Sequence, residues 1–199
     1  MKPSPHAAPA RRHGPPGEVR LIGGQWKRSK LPVPSRDGLR PTPDRVRETL
    51  YNWLGQDLMG WRCLDAFAGS GALGFEAASR GAAEVVLLER DAALAAALRA
   101  TQARLGATTV RVEATDALAW MARHPGAGFE LVLLDPPFAA GLHAAAVDAA
   151  ARLVVPGGWV YIEADRLLDP QVLAPQALLP HRHLRAGLVH AHLWRAASP

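Results

Sequence analysis

Two clusters of residue types in this chain have a spacing that can do chemistry. The first is Leu64-Asp65-Ala66-Phe67-Ala68-Gly69-Ser70-Gly71-Ala72-Leu73-Gly74, which holds a G-x-G-x-x-G pattern between an apolar strand signal and a helix signal. Glu89, followed by Arg90, ends the next strand signal. In a doubly wound sheet such glycines let a ligand approach the backbone, and the acid accepts hydrogen bonds from ribose hydroxyls. The pattern alone fits a dinucleotide or S-adenosylmethionine (AdoMet). Asp65 favours the latter: a carboxylate repels a pyrophosphate but attracts an ammonium and a sulfonium. The plainer reading is a structural glycine turn with Asp65 as a local cap.

The second cluster is Asp135-Pro136-Pro137-Phe138, at the carboxyl end of a later strand signal, the edge where open α/β sheets bind ligands. A planar exocyclic amine is a poor nucleophile because its lone pair is delocalised into the ring. The Asp135 carboxylate and the Pro136 carbonyl can accept its N–H bonds, and Phe138 can stack on the base. Alone, the tetrapeptide reads equally as a rigid turn with a core phenylalanine. Between the two clusters, Asp116-Ala117 follows the third strand of the series, either facing an adenine or capping a helix.

These residues need a frame to position them. Strand signals over Cys63–Phe67, Glu84–Glu89, Thr108–Val112, Phe129–Asp135 and Trp159–Glu163 alternate with helix signals over Ala72–Arg80, Asp91–Leu105, Ala117–Arg123 and Leu142–Leu153. That alternation predicts an α/β, doubly wound, Rossmann-like sheet, mostly parallel. Pro156-Gly157-Gly158 reads as the turn into its fifth strand. Leu188–Trp194 and His181–Arg185, with Gly187 between them, predict a C-terminal antiparallel hairpin. Upstream, Val19–Ile22 and Lys30–Val33 predict a small hairpin. Thr42-Pro43-Asp44 reads as a helix start with a threonine cap, its apolar face running through Val46, Leu50, Trp53 and Leu54 to about Gln56. Proline-rich residues 1–18 read as a disordered basic tail, 19–57 as an extension of hairpin and helix, and 58–199 as the main domain.

The 199 residues suit one domain with an appendage, and no apolar run is long enough for a membrane span. Prolines occupy the N-terminal stretch where a signal peptide needs an apolar core, so a cytoplasmic protein is expected. The lone Cys63 forbids an internal disulfide. Charge is uneven: residues 1–50 carry 11 basic and 4 acidic side chains, whereas the remainder carries 12 and 14. A basic segment on a near-neutral body suggests a polyanionic partner. Of the 23 basic residues 20 are arginines, but 38 alanines point to a coding bias that explains the excess over lysine without any ligand.

Asp-Pro-Pro-Phe after an AdoMet-type glycine loop resembles the class I amino-methyltransferases that act on nucleic-acid bases. The runs Arg20–Leu31 and Gly38–Trp53, together with Leu64–Gly74, are similar to the bacterial 16S rRNA guanine-N2 methyltransferases of the RsmD type. The resemblance spans about Val19 to Trp194, is dense to Phe138 and thin after Glu163. Ser29 stands where that family more often has glycine. The resemblance implies AdoMet as cofactor, a guanine N2 amine of 16S rRNA as acceptor, and a small-subunit assembly particle as partner to a monomer. It implies that Arg40, Thr42, Arg45 and Glu48 border the cofactor site and that the segment of Arg20, Trp26, Lys27, Arg28 and Lys30 grips RNA. Arg47 reads instead as part of a solvated charged face.

Other readings are adenine N6 or cytosine N4 methylation of DNA, a nicotinamide-dependent oxidoreductase, and a non-catalytic ribosome-assembly factor. The first lacks a target-recognition domain, the second leaves Asp65 and Asp135 unexplained, and the third leaves Gly69, Gly71 and Asp135 without purpose. The eight histidines show no recognisable metal spacing. His181/His183 and His190/His192 alternate on expected strands and read as surface or sheet-packing residues, so no metal is expected.

Overall fold

The computed structural model describes residues 17–34, 42–173 and 177–198. Strands β1 (Gly17–Arg20) and β2 (Lys30–Val33) form an antiparallel ribbon, and helix α1 (Asp44–Trp53) follows. The main sheet is built from β3 (Arg62–Asp65), β4 (Glu84–Glu89), β5 (Val110–Ala114), β6 (Phe129–Leu134), β7 (Val154–Ala164), β8 (Leu178–Ala186) and β9 (Val189–Ala196). Between them run α2 (Ala72–Ser79), α3 (Ala92–Leu105), α4 (Ala117–Arg123), α5 (His143–Leu153) and the short α6 (Pro170–Leu173). The seven strands lie in the order β5-β4-β3-β6-β7-β9-β8. The first five are parallel, and β9 runs antiparallel between β7 and β8.

Both faces of the parallel strands are covered, which is why they read as continuous apolar runs. On one side Cys63, Val85, Leu87, Leu133 and Leu193 pack with Val46, Leu50, Phe75 and Leu98 of the helices and with Val19, Leu21 and Leu31 of the ribbon. On the other, Leu64, Val86, Val132, Ile162 and Trp194 pack with Met121, Val147 and Leu153. The N-terminal ribbon therefore shares a buried cluster with the sheet. Asp91 caps α3 by accepting from the Ala93 and Leu94 amides, and Gly106 closes it in the left-handed conformation at φ 61°.

Several expected boundaries move for local reasons. The ribbon's first strand starts at Gly17 and ends at Arg20. Strand β5 begins at Val110, because the turn after Gly106 consumes Ala107 to Thr109. Pro156-Gly157-Gly158 is a bulge inside β7: Phe129 pairs with Val154, and Leu131 already with Trp159. The expected threonine cap of α1 is absent, since Pro43 occupies the cap position without a side-chain bond. Thr42 sends its hydroxyl elsewhere, to Glu163.

Candidate active site

Asp65, Asp135 and Glu163 stand at the carboxyl ends of β3, β6 and β7, which are neighbours in the sheet. Asp65 is buried; its Oδ2 accepts from the Gly74 amide at 2.9 Å, while Oδ1 has no partner. Burial pushes its carboxyl up to about 7, opposed by the Gly74 and Phe67 backbone amides that face it and reinforced by Glu89 and Glu163. The close contact requires glycine at position 74, because a Cβ there would lie 2.2 Å from Leu87 and 3.1 Å from Oδ2 of Asp65. Gly71, at φ 75°, enters α2 in a conformation that disfavours side chains, and a Cβ would meet Phe75 and Leu98 within 2.7 Å.

Glu89 braces the same loop. Its Oε2 accepts from the Gly69 amide at 3.0 Å and its Oε1 from the Asp91 amide at 2.7 Å. A carboxylate has about four acceptor sites, so two remain for a ligand. Arg90 beside it is exposed, Phe67 half-buried, and Ala68, Ser70 and Ala117 buried. Asp116 caps α4 by accepting from the Ala119 amide at 2.9 Å, the plainer of its two expected roles.

Asp135 is half-buried, and among the described residues its carboxylate receives no hydrogen bond. Desolvation, then Glu163 and Asp65, hold its carboxyl well above the ordinary range. Pro136 is buried, Pro137 exposed, and the half-buried Phe138 ring lies 6.0 Å from that of His143. His143 Nε2 in turn hydrogen-bonds the Glu163 carbonyl at 3.1 Å.

Glu163 was not marked by any motif. It is 2% exposed, and its Oε1 accepts from the Thr42 hydroxyl at 2.6 Å and the Tyr161 hydroxyl at 2.8 Å. Burial raises its carboxyl, opposed by those two bonds and by Arg47. Thr42 thus reaches the site edge from the N-terminal side. Arg45 and Glu48 are exposed, Arg45 donating to the Arg185 carbonyl at 3.4 Å, and Arg40 lies outside the described residues.

Arg47 corrects an expectation. It is fully buried, not on a solvated face. Its guanidinium donates to the carbonyls of Thr42 (3.3 Å) and Arg20 (2.9 Å), to Glu76 (3.3 Å) and to Asp44 (2.7 Å). Glu76, also buried, further accepts from the amides of Ile22 and Gly23, each at 2.8 Å, and from Arg80. This ion pair bolts the ribbon to α1 and α2. Nearby, Gly24 presses on Ser79 so closely that a Cβ would fall 1.8 Å from its carbonyl oxygen. Trp26 is half-buried against the core, and Arg20, Lys27, Arg28 and Lys30 are exposed, Lys30 pairing with Glu18 at 2.6 Å. Pro32 and Pro34 border a crevice with Gly69 and Ser70.

Dinucleotide sheets run 3-2-1-4-5-6. With β3 counted as first, the order here is 3-2-1-4-5-7-6 with an antiparallel seventh strand, the arrangement of the class I AdoMet-dependent methyltransferases. The unpartnered Asp65 oxygen and the glycine cradle suit that cofactor, whose amino-acid end brings donors and positive charge. Residues 19–195 match the family described as Conserved hypothetical protein 95, and the chain belongs to it. The ribosomal RNA small subunit methyltransferase D of Escherichia coli K12 is 42% identical over 188 residues, 92% of each chain. The solved yhhF structure from Escherichia coli superposes with a TM-score of 0.79 at 36% identity, covering 92% of this chain and 100% of that one. The Thermus thermophilus 16S rRNA N2 methyltransferase, solved with AdoMet and guanosine, shares the fold (TM-score 0.70, 23% identity, 96% of this chain and 53% of that one).

Proposed function

We propose that the protein transfers a methyl group from AdoMet to the exocyclic N2 amine of a guanine in 16S rRNA, acting as a cytoplasmic monomer on a small-subunit assembly particle. The observation that carries the reading is the row of carboxylates at Asp65, Asp135 and Glu163, in which Oδ1 of Asp65 and, among the described residues, the Asp135 carboxyl have no hydrogen-bond donor. Such a row calls for a cationic ligand and an N–H donor side by side. The names of the relatives support small-subunit rRNA as the substrate class. Labelled AdoMet, small-subunit particles and the purified enzyme should yield N2-methylguanosine on nucleoside digestion. Label on adenine, cytosine or protein alone would overturn the reading.

Asp65, Phe67, Ala68, Gly69, Ser70 and Gly71 hold the cofactor's amino-acid end, Glu89 and Arg90 its ribose, and Asp116 and Ala117 its adenine. Arg40, Thr42, Arg45 and Glu48 close the site from the N-terminal side. Bound AdoMet supplies an electrophilic methyl group on a cationic sulfonium. Asp135 and the Pro136 carbonyl accept from the guanine amine, Pro137 stiffens the turn, and Phe138 stacks on the base, worth about 1–3 kcal/mol. Positive charge growing on the nitrogen is stabilised by Asp135. The alkylated nitrogen is acidic enough to release its proton without a strong base. Positioning supplies most of the remaining acceleration.

Asp65 gives this binding mode a pH signature. Its folded carboxyl titrates near 7, above the unfolded value, so the fold gains from the protonated form at low pH and loses that gain as pH rises through about 7. A ligand ammonium displaces the proton. AdoMet affinity should therefore climb up to about tenfold per pH unit below about 7 and level off above it. Calorimetry at pH 6 in buffers of differing ionisation heat should register a released proton in the wild type and none in Asp65→Asn. Equal signals in both proteins would remove Asp65 from the cofactor site.

RNA is gripped by the ribbon of the 19–57 extension, with the 58–199 domain doing the chemistry. Neutralising Arg20, Lys27, Arg28 and Lys30 together should weaken rRNA binding and flatten its salt dependence by roughly 0.7–0.9 in log–log slope per lost phosphate contact. AdoMet affinity should hold, since these side chains are exposed and the described residues of this region that border the glycine loop are Pro32 and Pro34. An unchanged salt slope would make the charge asymmetry compositional.

A further inference from the structure

The C-terminal hairpin gathers three imidazoles that the methyl-transfer chemistry does not use. His183 on β8 lies directly opposite His192 on β9, and His190 precedes His192 by two residues, on the same face of the strand. One ring nitrogen from each of the three lies within 4.8 Å of the others. His183 Nε2 and His190 Nδ1 share a hydrogen bond at 3.1 Å, whose proton a bound ion would replace. Two imidazole nitrogens bound to one tetrahedral zinc at about 2.0–2.1 Å would stand about 3.3 Å apart. The pair is thus already close to the spacing an ion imposes.

We propose that His183, His190 and His192 form a binding site for a borderline-soft divalent transition-metal ion, of the zinc, nickel or copper class. Three neutral nitrogen donors without a thiolate or carboxylate suit those ions, whereas magnesium and calcium require oxygen ligands. Exposure grades from the exposed His183 through the half-buried His190 to the buried His192, so the group opens to solvent on one side and is anchored on the other. The anchor is held by ring packing, with the His192 centroid 4.7 Å from that of His183 and 6.4 Å from that of Trp194. At His192 the competing contact is weak: the Leu168 amide approaches Nε2 at 3.5 Å. The nearest cation in the register, Arg185 opposite His190, turns its Nε to the Gly187 carbonyl at 3.2 Å. His181 packs on Trp159 at 4.8 Å and stays outside the group. Three protein ligands leave a fourth position for water.

Tag-free full-length protein titrated with zinc(II) against a chromogenic chelator should take up one equivalent with a micromolar or tighter dissociation constant, and excess magnesium should not compete. Cobalt(II) in its place should give the visible bands of a four-coordinate nitrogen site. His183→Gln and His190→Gln replace side chains that are not buried, so both variants should keep the wild-type melting temperature while losing at least tenfold in zinc affinity. His181→Gln and the tail variant His6→Gln/His13→Gln should bind as the wild type does. Absence of an equivalent of zinc at micromolar concentration would overturn the site. So would full affinity in a His183→Gln/His190→Gln double variant, which would place the ion on other histidines.

Discussion

Asp135→Ala should lower methyl transfer to rRNA by at least about 10²–10³-fold while leaving AdoMet affinity nearly unchanged. The carboxyl stands at the end of β6 with no hydrogen-bond donor among the described residues, and desolvation, then Glu163 and Asp65, disfavour its charged form until a donor arrives. A group kept at that cost has its partner outside the chain, and the substrate amine is a donor that fits. Removing it also relieves a crowded row of acids, so the melting temperature should stay level or rise. That separates lost chemistry from lost folding. Asp135→Asn keeps one acceptor oxygen without the charge and should fall between wild type and alanine. Near wild-type turnover in the alanine variant would reduce the Asp135–Phe138 turn to scaffolding.

Arg47→Met should cost about 3–5 kcal/mol, the usual penalty for breaking a buried ion pair from one side. For a chain of this size that corresponds to a fall of roughly 6–20 °C in melting temperature. Four acceptors lose a donor at once: the Thr42 and Arg20 carbonyls, Asp44, and Glu76, which keeps Arg80 and the Ile22 and Gly23 amides. Arg47→Lys should recover only part of the loss, since a single ammonium cannot span a fork of partners on different elements. Hydrogen exchange gives a local check: the Ile22 and Gly23 amides, bonded to Glu76, should exchange faster in Arg47→Met. A melting temperature and exchange pattern equal to wild type would mean the pair carries no net stability.

Arg47 also shows where sequence reading reaches its limit. Elements whose signals are local were legible: Asp91 and Gly106 bracket α3, β4 and α4 fall where expected, and the alternation of strands and helices predicts the parallel sheet. The placement of the glycine loop, Glu89 and Asp135 at strand ends was legible because motif and strand signal coincide. What escaped depends on contacts distant in the chain. Thr42 looks like a helix cap from its neighbours, but its hydroxyl finds Glu163, 121 residues away. Arg47 sits among charged residues and reads as solvated, yet Glu76, 29 residues on, makes its burial possible. The three histidines have no ligand spacing along the chain; only the pairing of β8 with β9 brings them together.

The placing of β9 between β7 and β8 has a kinetic consequence. Chain order and sheet order disagree there: β8 is synthesised first, but its neighbour in the sheet is made later. Until residues 189–196 emerge, β7 presents an unpaired edge and β8 has no template beside it. Unpaired edges invite association with other chains, and long-range pairing is slow to form. The active-site row and the histidine group mature on different schedules. The former lies on strands through β7, with Glu163 gaining its β9 neighbour Ala191 last, whereas the latter must wait for the final insertion that closes the sheet.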